Sequence, residues 1–504
     1  MKRLFPIILN ILPYISVFLF SLYQPIDSDL GWHLKYGEYF FTHGKILRDN
    51  IFSSEMNSYH WINHSWLSDS VTYFAYRDLG FLGVSLLGAL TVVGTLFFIS
   101  KSASLTWWQK SFLFPLTLYF MELLNKVSFR AQLVTLMFTC CAYLIFSKFK
   151  KGSVKYLFFL PLLFLIWVNF HGGFIQGLGL FFLWSIFYLV INLLPRHAEL
   201  VSASSYFSNI KHKIFYYLLP LLALLVSVFV TLINPFGISI YGEALHHFGN
   251  PLSQYIVEWT SFDAYTIYWW RLLSWGLYIG VSIFILFKNK KLREYLPEIL
   301  PLVLIFFLSF SARRYTWTLL LLSIPIIKYL DNIISVISQK TIKIIYFLVF
   351  SGIIIYSLYL KLVTPYGIRN LSWENYCRYT SCSFASAEFL KKVPYKNLYT
   401  FYDWGGWLIW NYPKIKPSVD GRMSFWRDNK DYSAFENNFY LEQNILDINK
   451  SPYDTVYIST HKPIYKRMLA LVNENRWELL YEDRVSAIFK RKSSSLIGPH
   501  IPTI

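Results

Sequence analysis

The residues best suited to chemistry lie in one short stretch, Asp27-Ser28-Asp29-Leu30-Gly31-Trp32-His33-Leu34-Lys35, which directly follows the first apolar segment. A carboxylate at the edge of a bilayer is costly unless it is paired or functional. It can act as a general base by taking a proton from an incoming hydroxyl or amine. We therefore predict that Asp29 or Asp27 is catalytic with His33, and that Lys35 supports them by binding substrate.

These residues also have simpler interpretations. Asp27 or Asp29 could cap a helix that starts near Gly31, because an aspartate at a helix N-terminus satisfies free backbone donors. His33 could be an interfacial histidine with a satisfied hydrogen bond. The elements that must position this stretch decide between the two interpretations.

The composition points to a membrane protein. Of 504 residues, 55% are hydrophobic, 20% aromatic and only 15% charged, whereas soluble domains carry about a quarter charged residues. The net charge of +18 comes from short basic runs between apolar segments, which topology and anionic lipid explain. No basic stripe with nucleic-acid motif spacing is present, so a nucleic-acid partner is not expected. Met1-Lys2-Arg3 precedes an apolar run without a small-residue cleavage site, which predicts an uncleaved first span.

About eleven apolar stretches are long enough to cross a bilayer. They lie near 4–24, 80–99, 108–124, 130–147, 155–171, 173–194, 214–233, 267–287, 295–311, 314–330 and 342–362. If the N-terminus is inside, every inner loop is basic, as the positive-inside tendency requires. The sequence therefore predicts an inside N-terminus and an outside C-terminus.

Three segments then lie outside: loop 25–79, loop 234–266 and the C-terminal region 363–504. The first loop is rich in Trp, Tyr, His and Asp and reads as short interfacial helices. The predicted domains are therefore a transmembrane domain, 1–362, and an extracytoplasmic α/β domain, 363–504.

The C-terminal region alternates short strand-like and helical runs. The strand predictions are Leu398-Tyr399-Thr400-Phe401, Thr455-Val456-Tyr457-Ile458 and Val485-Ser486-Ala487-Ile488-Phe489, and the helix predictions are 386–392 and 463–473. Cys377 and Cys382 are close in this outer region, where disulfides persist, so a structural bridge between them is one of two alternatives. Cys140 and Cys141 lie in an apolar span and are expected to be packing residues.

Further polar residues collect at the predicted outer ends of spans. The set is Arg130, Asn169, His171, Glu258, Arg313 and Arg314. Arginines can hold a phosphate or pyrophosphate leaving group with bidentate donors, and aromatic side chains can stack on sugars. Each arginine could instead reach lipid phosphates, and 169–173 could be only a tight helical turn. Asp27 and Asp29 could also hold a divalent ion, Mg or Mn, together with other carboxylates.

The loop Asp27-Ser28-Asp29-Leu30-Gly31-Trp32-His33-Leu34-Lys35-Tyr36-Gly37, continuing to Asp49, resembles the first outer loop of the GT-C superfamily of polyprenyl-phosphate-dependent membrane glycosyltransferases. In that superfamily an acidic motif follows the first span. The resemblance implies that Asp29 is the catalytic Asp, with Asp27 as the competitor.

A second stretch, Tyr402-Asp403-Trp404-Gly405-Gly406-Trp407-Leu408 followed by Ser418-Val419-Asp420-Gly421-Arg422, is similar to the Trp-Trp-Asp-Tyr-Gly region of oligosaccharyltransferase catalytic subunits. That region helps to recognise the acceptor. The resemblance implies that Asp403, Trp404, Asp420 and Arg422 belong to an acceptor-facing surface.

Together these patterns imply an inverting glycosyltransferase in the bacterial cytoplasmic membrane, with its C-terminal domain extracytoplasmic. The implied partners are a polyprenyl-phosphate-linked sugar donor, membrane lipid, and a glycan, lipid or protein acceptor. The alternatives are a non-enzymatic transporter or flippase and a membrane assembly scaffold. A transporter should carry polar residues in the middle of broken spans, whereas here the charges lie at span ends.

Overall fold

The computed structural model describes residues 4–121, 129–194, 210–246, 250–262, 266–331, 339–363 and 368–492. In chain order the first helices are α1 (Leu4–Phe20), α2 (Leu30–His43), α3 (Trp66–Ala103), α4 (Trp107–Phe120), α5 (Ala131–Lys150), α6 (Phe159–Phe170), α7 (Phe174–Leu193), α8 (Ile210–Val230) and α9 (Ser239–His246). They are followed by α10 (Ile267–Lys288), α11 (Leu292–Ser311), α12 (Arg313–Ile327), α13 (Gln339–Val363), α14 (Trp373–Thr380), α15 (Phe384–Leu390), α16 (Gly405–Asn411), α17 (Ala434–Glu442) and α18 (Pro463–Asn473). The strands are β1 (Leu398–Thr400), β2 (Thr455–Ser459), β3 (Trp477–Glu482) and β4 (Ser486–Arg491).

The helices confirm a multi-pass membrane protein. Over the described residues, six helices are long and apolar enough to cross a bilayer: α3, α5, α7, α10, α11 and α13. Shorter apolar helices include most of α1, α6 and α8. Each of the eleven predicted spans overlaps a helix, while the number of spans and their orientation stay predictions.

The first compact unit comprises Met1–Tyr23, His64–Ser68 and Leu82–Arg369. Some of its helices pack closely because a small residue on one helix leaves room for a bulky aromatic side chain on its neighbour. A Cβ on Gly177 of α7 would lie 2.3 Å from the ring of Trp167 on α6, and Trp167 is fully buried. Close helix contact through a small residue is typical of packing inside membranes.

The second compact unit combines Gln24–Asn63 and Asp69–Phe81 with the region from Asn370 onward. It therefore joins most of the first predicted outer loop to the C-terminal α/β region. This grouping reflects the compactness of the structure, whereas the predicted domains follow the order of the chain. The predicted domain boundaries therefore stay a prediction.

A four-stranded sheet organises the C-terminal region, with strand order β1-β2-β4-β3. Strand β2 pairs in parallel with β1 and antiparallel with β4, and β3 pairs antiparallel with β4. Helix α18 packs against this sheet through Ile464, Met468 and Leu471, which are fully buried. The predicted strands at β1, β2 and β4 are confirmed, and so are the helices predicted at α15 and α18.

The sequence analysis missed strand β3. Its residues do not alternate regularly between apolar and polar, because the register with β4 shifts between Leu479 and Tyr481. A bulge of this kind turns successive side chains to the same face and hides the period of two. Strand β3 is also at the edge of the sheet, where it is partly exposed.

A disulfide joins Cys377 at the end of α14 to Cys382, just before α15. Both cysteines are buried, and the bridge decides between the two alternatives left open by the sequence. Cys140 and Cys141 are free thiols, as expected for packing residues.

The disulfide predicts a measurable contribution to stability. Replacing Cys377 and Cys382 by serine should lower the free energy of unfolding of the C-terminal region by about 2 kcal/mol, because the short loop is no longer closed in the unfolded chain. Thermal unfolding of the purified protein measures this change. The Cys141→Ala protein, which loses a free thiol, is the control and should unfold like the wild type. Equal stability of all three proteins would contradict the prediction.

Candidate active site

Asp29 occupies the N-cap position of α2 and is half-buried. Its side chain makes no capping hydrogen bond. The backbone N–H of Asp29 instead donates to Oδ1 of Asp27 over 3.1 Å. Asp27 is buried, and its backbone carbonyl accepts a hydrogen bond from the Tyr376 hydroxyl at 3.0 Å. Asp27 therefore stabilises the local backbone, and the carboxylate of Asp29 is not committed to capping α2.

Glycines let the backbone around Asp29 approach the C-terminal region closely. A Cβ on Gly31 would lie 1.9 Å from the carbonyl oxygen of Gly406, and a Cβ on Gly406 would lie 2.3 Å from that of Ser28. A Cβ on Gly421 would lie 1.8 Å from Oδ1 of Asp29. Two separate motifs of the C-terminal region therefore hold the segment that carries Asp29.

Asp403, in the turn before α16, belongs to the same electrostatic neighbourhood. Burial raises its pKa to about 6; the Lys462 ammonium opposes the rise, and the carboxylates of Glu442 and Asp29 add to it. Burial and the charge of Asp29 also raise the pKa of the Tyr402 hydroxyl. Asp29 and Asp403 thus interact electrostatically within the second unit.

His33 lies one turn after Asp29 on α2. Its Nδ1 is 2.6 Å from Oδ1 of Asp69, and Oδ2 of Asp69 accepts a hydrogen bond from the Asn63 amide at 2.6 Å. Burial lowers the pKa of His33, but the carboxylates of Asp69, Asp27 and Asp29 outweigh it, so the pKa lies above its ordinary value. The result is a histidine whose protonated form is stabilised.

The sequence analysis missed Asp69 and Asn63. Asp69 lies in the first turn of α3 and is completely buried. Asp69 could have been recognised as an isolated acid at the start of a helix that becomes strongly apolar. A buried acid of this kind needs a partner. The partner was not recognisable, since His33 is separated from Asp69 by 36 residues.

Asp420 and Arg422 form a completely buried ion pair. Oδ1 of Asp420 accepts from Nε of Arg422 at 2.8 Å and Oδ2 accepts from Nη2 at 2.7 Å. The pair reaches the first loop, because Nη2 also donates to Oδ1 of Asn50 at 3.0 Å and Ser53 donates to Asp420. Burial alone would raise the pKa of Asp420, but the charge and hydrogen bonds of Arg422 hold it below its ordinary value.

Three of the four residues for which the resemblance implies an acceptor-facing surface are buried in the structure. The side chains of Asp420 and Arg422 are not exposed, and Trp404 is fully buried with its ring 4.7 Å from that of Tyr457. Asp403 is the member of the set that is half-exposed. The other three hold the fold around it, and a role of theirs in substrate binding stays a prediction.

Lys35 does not join Asp29. Its ammonium pairs with Glu38 at 2.5 Å and lies 6.0 Å from the centre of the Trp410 ring. Residues two positions apart point to different sides of a helix, which separates Lys35 from His33. Its predicted support of the catalytic acids is therefore not visible in its contacts.

The first unit brings together the predicted arginines. Arg130, just before α5, pairs with Glu258 at 2.8 Å. The guanidinium of Arg314 lies 4.0 Å from the centre of the Trp259 ring. Arg313 donates from its backbone N–H and from Nε to carbonyl oxygens of the same loop, at 3.1 and 3.2 Å. One loop therefore contacts all three arginines and supplies one acid among them.

Asn169 and His171 hold the turn between α6 and α7. Oδ1 of Asn169 accepts a hydrogen bond from Nε1 of Trp66 at 2.9 Å, and its amide donates to two backbone carbonyls. Nδ1 of His171 accepts from the N–H of Gly173 at 3.1 Å and lies 2.8 Å from the Thr135 hydroxyl. These bonds agree with the tight-turn alternative, and substrate binding by the two residues stays a prediction.

A metal centre is not evident in the part of the chain that the structure describes. No group of three or more His, Cys, Asp or Glu side chains there is arranged to hold an ion. A role for Mg or Mn stays a prediction.

The apolar helices define the class: a multi-pass membrane protein. No family model matches the chain, and no curated protein matches it.

Two solved structures carry the assignment of the fold. ArnT from Cupriavidus metallidurans, in a crystal structure bound to undecaprenyl phosphate, matches with a TM-score of 0.52 and 12% identity over 99% of each chain. The oligosaccharyltransferase of Archaeoglobus fulgidus in its apo form matches with a TM-score of 0.52 and 10% identity, over 91% of this chain and 70% of that chain. At these identities the likeness shows the fold alone, and that fold is GT-C-like.

The glycine contacts predict a steric effect on stability. Gly406→Ala should destabilise the second unit by about 1–3 kcal/mol, because the added Cβ meets the backbone carbonyl of Ser28 and overpacks the site. Thermal unfolding of the purified protein measures the loss. Gly179→Ala is the matched control, since a Cβ there meets nothing within 4 Å. Similar destabilisation in both variants would argue against the close approach.

The raised pKa of Asp403 predicts a pH-dependent stability. As pH rises from about 4 to 6, the unfolded chain releases the proton of Asp403 before the folded protein does, so this group destabilises the fold increasingly. Asp403→Asn removes the effect. Its Tm relative to the wild type should therefore increase between pH 4 and pH 7.

Thermal unfolding across this range checks the prediction, with Glu474→Gln as an exposed-acid control. If the Tm difference between Asp403→Asn and the wild type is independent of pH, the pKa of Asp403 is not raised in the folded protein.

Proposed function

We propose that the protein transfers a glycosyl group from a polyprenyl-phosphate-linked donor to an acceptor at the outer face of the bacterial cytoplasmic membrane. The observation that carries the proposal is the carboxylate of Asp29, which follows the first apolar helix, does not cap α2 and shares a unit with His33 and Asp403. The GT-C-like fold supports this type of reaction, and the undecaprenyl phosphate bound to ArnT supports a polyprenyl-linked donor.

The chemistry assigns Asp29 the role of general base. Its carboxylate accepts the proton of the acceptor hydroxyl or amine while that atom attacks the anomeric carbon. The bond from the anomeric carbon to the phosphate oxygen breaks, the electron pair stays on the phosphate, and the configuration inverts. That Arg130, Arg313 or Arg314 binds the donor phosphate remains a separate proposal, which rests on the suitability of guanidinium groups for phosphate oxygens.

The acceptor is a glycan, a lipid or a protein that offers a hydroxyl or amine. Asp403 contributes to its binding in this proposal, since it is a partly exposed acid whose pKa is influenced by the charge of Asp29.

Two observations support an extracytoplasmic second unit. In the topology predicted from the sequence every inner loop is basic, for example at Lys148, Lys150 and Lys151, as expected for cytoplasmic loops. The disulfide between Cys377 and Cys382 suits an oxidising compartment. Both point to the same orientation.

Transfer by the Asp29→Asn protein tests the proposal. The amide keeps the size of the side chain but cannot accept the proton, so turnover should fall about 10²- to 10⁴-fold. The measurement is release of undecaprenyl phosphate from undecaprenyl-phosphoryl sugars by the full chain in proteoliposomes. Gly421→Ala should also lower turnover, because its Cβ displaces the carboxylate without removing it.

Asp49→Asn is the matched control, since Asp49 is an exposed acid of the same loop. A folded Asp29→Asn protein with full activity would overturn the assignment. A wild-type protein that moves the lipid across the bilayer without cleaving it would instead be a transporter.

A further inference from the structure

Asp69 is a completely buried carboxylate that the proposed reaction does not yet use. Both of its oxygens have partners: Oδ1 lies 2.6 Å from Nδ1 of His33 and Oδ2 accepts from the Asn63 amide at 2.6 Å. An ionised carboxylate can only accept hydrogen bonds, and each oxygen of Asp69 has a nitrogen of His33 or Asn63 within hydrogen-bond distance. Nδ1 of His33 must therefore carry a hydrogen and donate it to Asp69.

Helix packing fixes this pair. Gly37, one turn after His33 on α2, has no room for a side chain, because its Cβ would lie 2.6 Å from the backbone oxygen of Asp69 and 2.4 Å from Cβ of Tyr73. The backbones of α2 and α3 are thus in contact where the pair forms. The ring of Trp32 also lies against the imidazole of His33, with ring centroids 3.7 Å apart.

The second ring nitrogen of His33, Nε2, can contact a bound substrate. The imidazole is 18% exposed while Asp69 is 1% exposed. Within the described part of the chain, the ring bonds only through Nδ1. The charged groups that face His33 are Asp69 on α3 and Asp27 and Asp29 before α2.

We propose that Asp69 is a positioning residue: it fixes the imidazole of His33 so that Nε2 is presented to the phosphate of the lipid-linked donor. This inference rests on the proposed function and adds a second group to its site. When the bond from the anomeric carbon to the phosphate oxygen breaks, the phosphate gains charge, and Nε2–H of the imidazolium donates a hydrogen bond to it. The acceptor proton still goes to Asp29.

The orientation of a histidine by a buried carboxylate is a general feature of acid–base catalysis. A carboxylate that receives Nδ1–H sets the tautomer of a histidine and stabilises its imidazolium form. The acids before α2 add to this stabilisation. An imidazolium next to a base carboxylate can neutralise a phosphate while the base takes a proton.

Histidine-selective NMR of the full chain in detergent tests the positioning directly. The signal is assigned by its loss in His33→Gln. In the wild type, His33 should titrate above pH 6.5, its Nδ1 should be protonated throughout, and Nε2 should shift on addition of undecaprenyl phosphate. In Asp69→Asn the pKa should fall and the shift on adding undecaprenyl phosphate should be lost. A wild-type His33 that titrates below 6.5, or that ignores undecaprenyl phosphate, would overturn the inference.

The pH profile of transfer supplies the second readout. Because the imidazolium form is required, turnover should fall at high pH, and in Asp69→Asn this limb should move to lower pH, with a loss of about 10²-fold at pH 7. Asp69→Glu, which restores the charge, should recover part of the activity. Asp78→Asn, an exposed acid on the same helix, is the control.

The two proposals fail in different ways. A wild-type protein without turnover removes the proposed transfer, while the NMR titration still decides the orientation of His33. A protein that transfers sugar, but whose pH profile is the same in the wild type and in Asp69→Asn, removes only the role of Asp69.

Discussion

The buried ion pair of Asp420 and Arg422 is the interaction on which the second unit depends. It is completely withdrawn from solvent, and removing one partner of such a pair costs about 3–5 kcal/mol because the other charge stays buried and uncompensated. The pair bonds to Asn50 and Ser53 in the first loop. It therefore holds together two parts of the chain that are separated by more than three hundred residues.

The position of the candidate base follows from this constraint. Gly421 lies between the two partners of the ion pair, and its Cα faces the carboxylate of Asp29. Rings of Phe52, Trp61 and Trp426 surround the guanidinium at 4.9, 5.2 and 5.5 Å. Cation–π contacts of this kind are strongest where water is excluded. The position of Asp29 thus depends on the residues that surround and form this buried ion pair.

Local patterns in the sequence predicted the parts of the fold that depend on local physics. Apolar runs predicted the helices, and β1, β2 and β4 were recognisable from their short apolar runs. Strand β3 was not, because a bulge breaks its alternation. Asp29, Asp27 and His33 were found because they are close in the chain. Asp69 was not, since only folding brings it to His33. The burial of Asp420 and Arg422 as an ion pair was not predicted either, because it depends on contacts with a distant loop.

The interleaving of the two units has a consequence for how this protein can change over evolutionary time. Chain segments Gln24–Asn63 and Asp69–Phe81 belong to the second unit, with five residues of the first unit between them. A recombination event near residue 370 would transfer the C-terminal region without the loop that packs against Gly406 and Gly421. Change in the second unit is therefore expected to proceed by point substitution rather than by swapping the C-terminal region as a module.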